Sequence, residues 1–277
     1  MTRRPPVLPV VLFVLTAATT TLAHGPLYAA ALLAILGAHE MGHFVMCRRH
    51  GVRSTWPLFL PLPLAEEMSA GTLGAVIKIR SPFPSRKALF DIAAAGPIAG
   101  LVVAIPVTLV GLELSEVVAA GPQAATALSL GESLIVRALA WLVFGNLPAG
   151  QDLSLHPIAF AGWFGLFMTG LNLLPIGQLD GGHVVYALAG PARARRSTAL
   201  ALAAFAALTL AVYNYWILFL VLVAVFARRH PAPLDDWTPL DAARRRIGYA
   251  TLGLFVLTFT PVPIAGIPSL WTLLHGG

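Results

Sequence analysis

His39-Glu40-Met41-Gly42-His43 is the segment of this chain best equipped for chemistry. Two histidines four residues apart lie on one face of a helix, about one turn from each other. Both imidazoles can then reach one metal ion, and the glutamate between them can serve a water held by that metal. The flanking residues are almost all apolar, so these polar groups fall inside a stretch that reads as a membrane-spanning helix. Such groups are costly in lipid and are retained there for function.

Two histidines do not complete a catalytic zinc site, which commonly takes three protein ligands and leaves a position open for water. Candidates for the third donor are few. Asp91 stands near the start of a later span, and Glu113 and Glu116 fall toward the opposite side of the membrane. Asp180 follows an apolar helix that Pro175 and Gly177 interrupt and precedes the pair Gly181-Gly182. Broken helices at membrane depth are tolerated where they line a site. A span that starts outside near His156 and descends brings Asp180 to the depth of His39 and His43.

The elements that must position these groups are membrane helices. Of 277 residues, 57% are hydrophobic and only 11% charged, against roughly 25% charged in soluble domains. The fold expected is an all-α polytopic membrane protein. Apolar runs at 7–24, 27–47, 88–112, 156–175, 197–213, 214–228 and 247–265 give about seven candidate spans. The pair 197–228 reads as a hairpin of short spans, with Tyr213-Asn214-Tyr215-Trp216 as an interfacial aromatic turn. The net charge of +6 does not argue for nucleic acid, because the arginines flank the apolar runs. They follow the positive-inside pattern, which places the N-terminus in the cytoplasm. Arg48 follows His39 by nine residues, so the metal face lies on the order of 7–14 Å below the cytoplasmic boundary. The lone cysteine, Cys47, can form no intrachain disulfide and has no second cysteine with which to bind metal.

Residues 51–87 are not a span, since Pro57, Pro61 and Pro63 break any helix. The β-branched stretch through Gly71–Arg80 predicts a short hairpin or small sheet packed on the cytoplasmic membrane rim. Asp91 is expected in the first turn of the third span, Gly96-Pro97-Ile98-Ala99-Gly100 at a close helix contact, and a kink at Pro97. The acidic stretch 113–152 reads as an outside loop with an amphipathic helix near 131–146.

Together, His39-Glu40-Met41-Gly42-His43 and Asn172-x-x-Pro175-x-x-x-Leu179-Asp180-Gly181 resemble the site-2 protease family of intramembrane zinc metalloproteases. Gly71-Thr72-Leu73-Gly74-Ala75, Ser85-Arg86-Lys87-Ala88-Leu89-Phe90-Asp91 and Gly96-Pro97 further resemble the branch with chloroplast-type members, and no PDZ-like insertion separates the motifs. The resemblance implies one Zn²⁺ ion held by His39, His43 and Asp180, Glu40 as general base, and Asn172 holding the substrate strand or the developing oxyanion. It implies a zinc endopeptidase that cleaves transmembrane segments of other membrane proteins. Residues 1–277 are then one membrane-embedded peptidase domain, with a catalytic core over about 27–190 and C-terminal helices over about 197–265. The partners expected are membrane-spanning substrates and the lipid bilayer, in the plasma membrane if the source is a bacterium.

Plainer roles stand beside these. Asp180 can N-cap a helix over 181–190, Asn172 can make an interhelical hydrogen bond, and His183 can be an interfacial residue. His24, His50, His156, His230 and His275 read as ordinary interfacial histidines, and Glu66-Glu67 as a solvated pair or a gate on the rim. The rival function is a non-proteolytic scaffold or transporter whose metal site is structural or a transport site. A closed structural site would need a fourth protein ligand.

Overall fold

The computed structural model describes residues 7–63, 69–119, 130–211, 216–226 and 231–264. Its first element, α1 (Val7–Arg49), is 43 residues long but leaves helical angles at His24 (φ −141, ψ 15) and Gly25 (φ 86, ψ 170). Gly25 tolerates the positive φ, and Pro26 restarts the helix at a position where no N–H is needed. The chain turns back on itself at this break. The Phe59 ring lies 5.1 Å from the Phe13 ring and also packs against Gly37. A continuous helix would put Phe13 and Gly37 about 36 Å apart. The two limbs of α1 thus carry the two expected runs 7–24 and 27–47.

Phe59 belongs to β1 (Leu58–Pro61), which pairs antiparallel with β2 (Thr72–Val76), Leu58 opposite Val76 and Phe59 opposite Ala75. The expected small sheet is present and lies along α1, from its end back to its break. Three side chains of α1 hold it there by bonding backbone carbonyls. The Thr19 hydroxyl donates to Gly71 at 2.7 Å, the His24 imidazole to Ser69 at 2.8 Å, and the Tyr28 hydroxyl to Ala70 at 3.3 Å. Strand carbonyls within an apolar environment need such partners. His24 is therefore a structural pin rather than a plain interfacial residue.

The helix α2 (Arg86–Glu113) starts on Ser85, whose hydroxyl accepts the Ala88 N–H at 3.2 Å, and continues through Pro97 and Pro106. Asp91 lies beyond its first turn, so it does not serve the helix N-terminus. Its carboxylate takes the Arg244 guanidinium at 2.8 and 2.9 Å and the His50 imidazole at 2.9 Å. The Asp91 hydrogen bonds hold the Arg244 guanidinium above its ordinary pKa. After α2 comes a second small sheet that the sequence pattern does not announce. Its strands β3 (Glu116–Ala119) and β4 (Gln151–Ser154) pair antiparallel and bracket the expected short helix, α3 (Leu134–Phe144). The class is thus mostly helical with two sheets rather than one.

The remaining elements are α4 (Pro157–Asn172), α5 (Asp180–Ala189), α6 (Pro191–Ala211), α7 (Trp216–Phe226) and α8 (Ala242–Thr258). The imidazole of His156 caps α4 by accepting the Ile158 N–H. Separate helices α6 and α7 pack on one another, as the hairpin reading of 197–228 expects. Trp216 is buried among Phe205, Phe219 and Phe259, its indole N–H on the Pro261 carbonyl at 2.8 Å. Each of the seven apolar runs carries a helix or a limb of one. By length and composition, two of the described helices, α1 and α2, are long and apolar enough to cross a membrane.

The arginine-bearing helix ends meet at one end of the molecule. His50, Asp91 and Arg244 join the ends of α1, α2 and α8. Arg86 reaches Asp236 at 2.8 Å and lies against Gly190, next to the start of α6. Cys47 is fully buried at this end among Val52, Phe83 and Leu89. The expectations for Glu66, Glu67, His230, His275 and the turn residues 213–215 lie outside the described residues.

Candidate metal centre

The second limb of α1 presents His39 and His43 one turn apart, and both side chains are buried. Their Nε2 atoms are 3.1 Å apart. Asp180 opens α5, with Leu179 as the N-cap. It is therefore a first-turn residue and not the cap, and its carboxylate sits where a helix N-terminus favours negative charge. Asp180 Oδ2 lies 3.2 Å from His39 Nε2 and 3.3 Å from His43 Nε2. Among the described residues, these three form the group of His, Cys, Asp and Glu side chains able to share a metal ion. Asp91, Glu113 and Glu116 stand elsewhere.

The triangle has the dimensions that zinc requires. Ligand atoms ~2.0–2.1 Å from a tetrahedral zinc lie ~3.3 Å from each other, and the three edges measured are 3.1, 3.2 and 3.3 Å. Three protein donors are the number that leaves a catalytic zinc one position for water. Two neutral imidazoles and one carboxylate reduce a dication to a net charge of +1, which is far cheaper to bury.

Neighbouring groups fix the imidazoles. His43 Nδ1 is 2.7 Å from the Ile92 carbonyl, which can only accept. Nδ1 therefore carries the proton, and the Nε2 lone pair is directed into the triangle. A Cβ at Gly96 would overlap the His43 ring, and one at Gly100 would lie 3.2 Å from His39 Nδ1. The close contact expected of Gly96–Gly100 is thus a contact with the ligands themselves. Gly42 plays the matching part on α1, where a Cβ would run into the Ala95 carbonyl. Ile92 carries no sequence signal for this role, because any residue supplies a carbonyl.

Glu40 is also buried, and its Oε2 has no hydrogen-bond partner among the described residues. The backbone of Ile77, just past β2, lies next to the same carboxylate. A buried carboxylate oxygen without a partner is expensive, and a polar occupant of the neighbouring triangle would satisfy it. Asn172, the last residue of α4, brings Nδ2 to 3.3 Å from His39 Nε2. The five residues singled out by the motifs and the resemblance thus converge, although Asp180 is 141 positions from His39. The His183 ring lies 6.0 Å from that of Phe83.

The donor set carried by α1 and α5 defines a candidate zinc-binding domain, and two of its described helices are long and apolar enough to cross a membrane. Residues 27–213 match the family described as Peptidase family M50, and the chain belongs to that family. It is 32% identical over 236 residues to "Probable zinc metalloprotease EGY2, chloroplastic" of Arabidopsis thaliana, covering 83% of this chain and 41% of that one. It is 33% identical over 246 residues to "Probable zinc metalloprotease EGY1, chloroplastic" of the same plant, covering 83% and 42%. Against "Probable zinc metalloprotease EGY3, chloroplastic" of Oryza sativa subsp. indica, identity is 32% over 265 residues, covering 85% and 42%. The chain thus spans less than half the length of these relatives. No solved structure matches it.

Proposed function

We propose that this chain is an intramembrane zinc endopeptidase, hydrolysing peptide bonds within or near transmembrane segments of other membrane proteins. The observation that carries the reading is the His39–His43–Asp180 triangle with buried Glu40 beside it, on an apolar helix limb. In this reading the protein crosses the membrane several times, with its arginine-bearing end in the cytoplasm and the metal site nearer that face.

His39, His43 and Asp180 would hold the ion, whose chemistry when bound is to activate water for attack and polarise the peptide carbonyl. Glu40 takes the proton released in that attack on its carboxylate and later delivers it to the leaving amine. Asn172 directs its amide N–H toward the carbonyl oxygen of the substrate, where negative charge develops. A helical substrate shields its peptide bonds with its own hydrogen bonds, so the segment to be cut must first unwind. The strand β2, which ends one residue before Ile77, can pair with the extended segment by β-addition. Replacing 71–79 with a scrambled loop should abolish cleavage while zinc stays bound.

The three donors among the described residues favour an open site over a closed structural zinc, which takes four protein ligands. The test is reconstitution in lipid with a panel of single-span substrates, comparing wild type with Glu40→Gln. The variant should retain zinc and lose cleavage by about 10²–10⁴-fold. Equal cleavage by both proteins would sink the mechanism.

A further inference from the structure

Residues Leu173–Leu179 join the end of α4, where Asn172 stands, to the start of α5, where Asp180 stands. This loop therefore sets where the third ligand sits. It is irregular but held by short-range bonds: Ile176 N–H to Leu174 carbonyl at 2.7 Å and Leu179 N–H to Ile176 carbonyl at 3.1 Å. Pro175 interrupts it, and Gly177 turns it with φ 49. Leu173, Leu174 and Ile176 are buried. On one side the loop is wedged against α5, where a Cβ at Gly181 would strike the Leu173 carbonyl and one at Gly182 the Gly177 carbonyl.

On the other side two hydroxyls of α6 take its backbone groups. Thr198 Oγ1 accepts the Gly177 N–H at 3.1 Å while donating to the Ala194 carbonyl at 2.9 Å. The second bond fixes the hydroxyl rotamer, so its lone pair is aimed at the loop. The Ser197 hydroxyl donates to the Pro175 carbonyl at 3.3 Å. Neither residue touches the ligand triangle, and no motif marks them.

We propose that Thr198, assisted by Ser197, is a positioning residue of the metal centre, a hydroxyl clamp on α6 that fixes the loop and so the place of Asp180 relative to His39 and His43. The proposal rests on reading that triangle as the zinc site. These loop groups are part-buried, so one that loses its partner seeks another and the loop shifts toward it. A shift at Gly177 moves Asp180, three residues on, at the point where it must meet two imidazoles fixed from α1.

The test uses the full chain in detergent or nanodiscs. Thr198→Val keeps shape and β-branching but loses both hydrogen bonds, whereas Thr198→Ser keeps the hydroxyl. Amide exchange of the peptide containing Gly177 is measured on metal-free protein, and zinc affinity by chelator competition. Thr198→Val should speed exchange at Gly177 and weaken zinc about 10-fold or more, and Thr198→Ser should stay close to wild type. Equal zinc affinity in wild type and Thr198→Val, or equal losses in both variants, would overturn the clamp. So would an unprotected Gly177 amide in the wild type, a measurement that needs no variant to fold. Asp180→Ala separates the two levels: full zinc retention by that variant defeats the ligand reading itself, whatever Thr198 does.

Discussion

His43 Nδ1 donates to the Ile92 carbonyl at 2.7 Å, and the turn of α2 that supplies this carbonyl also carries Gly96 against the same ring. One face of α2 thus orients the imidazole and leaves room for it. Gly96→Ala should weaken zinc by more than about 100-fold, beyond the usual loss for an outer-shell partner. Gly100→Ala, with more space at His39, should do so less. Chelator competition on purified variants checks the order, and reversal of it would mean that the α1–α2 contact does not set the imidazoles.

Each ligand removed from a three-donor site leaves two, too few to hold a catalytic zinc. His39→Ala and Asp180→Ala should therefore both purify largely without zinc, with cleavage lost. Metal content by elemental analysis decides this. Full zinc in Asp180→Ala would remove that residue from the set.

The hairpin that brings Ile77 to Glu40 is pinned far away, by Thr19, His24 and Tyr28 at the break of α1. Combining Thr19→Val with Tyr28→Phe should loosen residues 69–77 without disturbing the ligands. The expected result is unchanged zinc affinity with cleavage reduced by about 10–100-fold, as small misplacements near reacting groups cost this much. Amide exchange over 69–77 reports the loosening, and unaltered cleavage with rapid exchange would show that the hairpin does not serve the reaction.

Asp91 ties α1 to α8 through His50 and Arg244. Asp91→Asn weakens the charge-assisted bonds and should destabilise the protein by about 1–3 kcal/mol. Thermal unfolding in detergent measures it. Zinc affinity should hardly change, which distinguishes this brace from Thr198.

Much of the site is legible because it is local. His39 and His43 are joined by helical periodicity, which places them on one face without any tertiary information. Glu40 and the apolar surroundings are equally local. Asn172 and Asp180 become legible through their motif and the Pro175–Gly177 interruption. Gly96 and Gly100 are visible as small residues, but not as the floor beneath two imidazoles, because composition does not say which partner a glycine admits. Asp91 near the start of α2 reads as serving the helix dipole, yet the Arg244 guanidinium and the His50 imidazole, both from distant elements, outweigh that weak field. The hairpin at 58–76 is legible as a hairpin, but its contacts with α1 are not. They depend on which carbonyls Thr19, His24 and Tyr28 can reach.

The amino-acid sequence by itself determined the chemistry: two imidazoles one turn apart, a carboxylate between them, apolar helices around them, and a second motif with a third donor. These follow from residue type and periodicity, which are properties of a segment. Tertiary structure alone decided that Asp180 closes a triangle 3.1–3.3 Å on a side with residues 141 positions away. It also decided that a carbonyl of Ile92 fixes His43, and that hydroxyls on α6 hold the loop before Asp180. The physical reason is that backbone carbonyls and N–H groups are the same in every residue. Their roles arise only when folding brings a partner within hydrogen-bond reach.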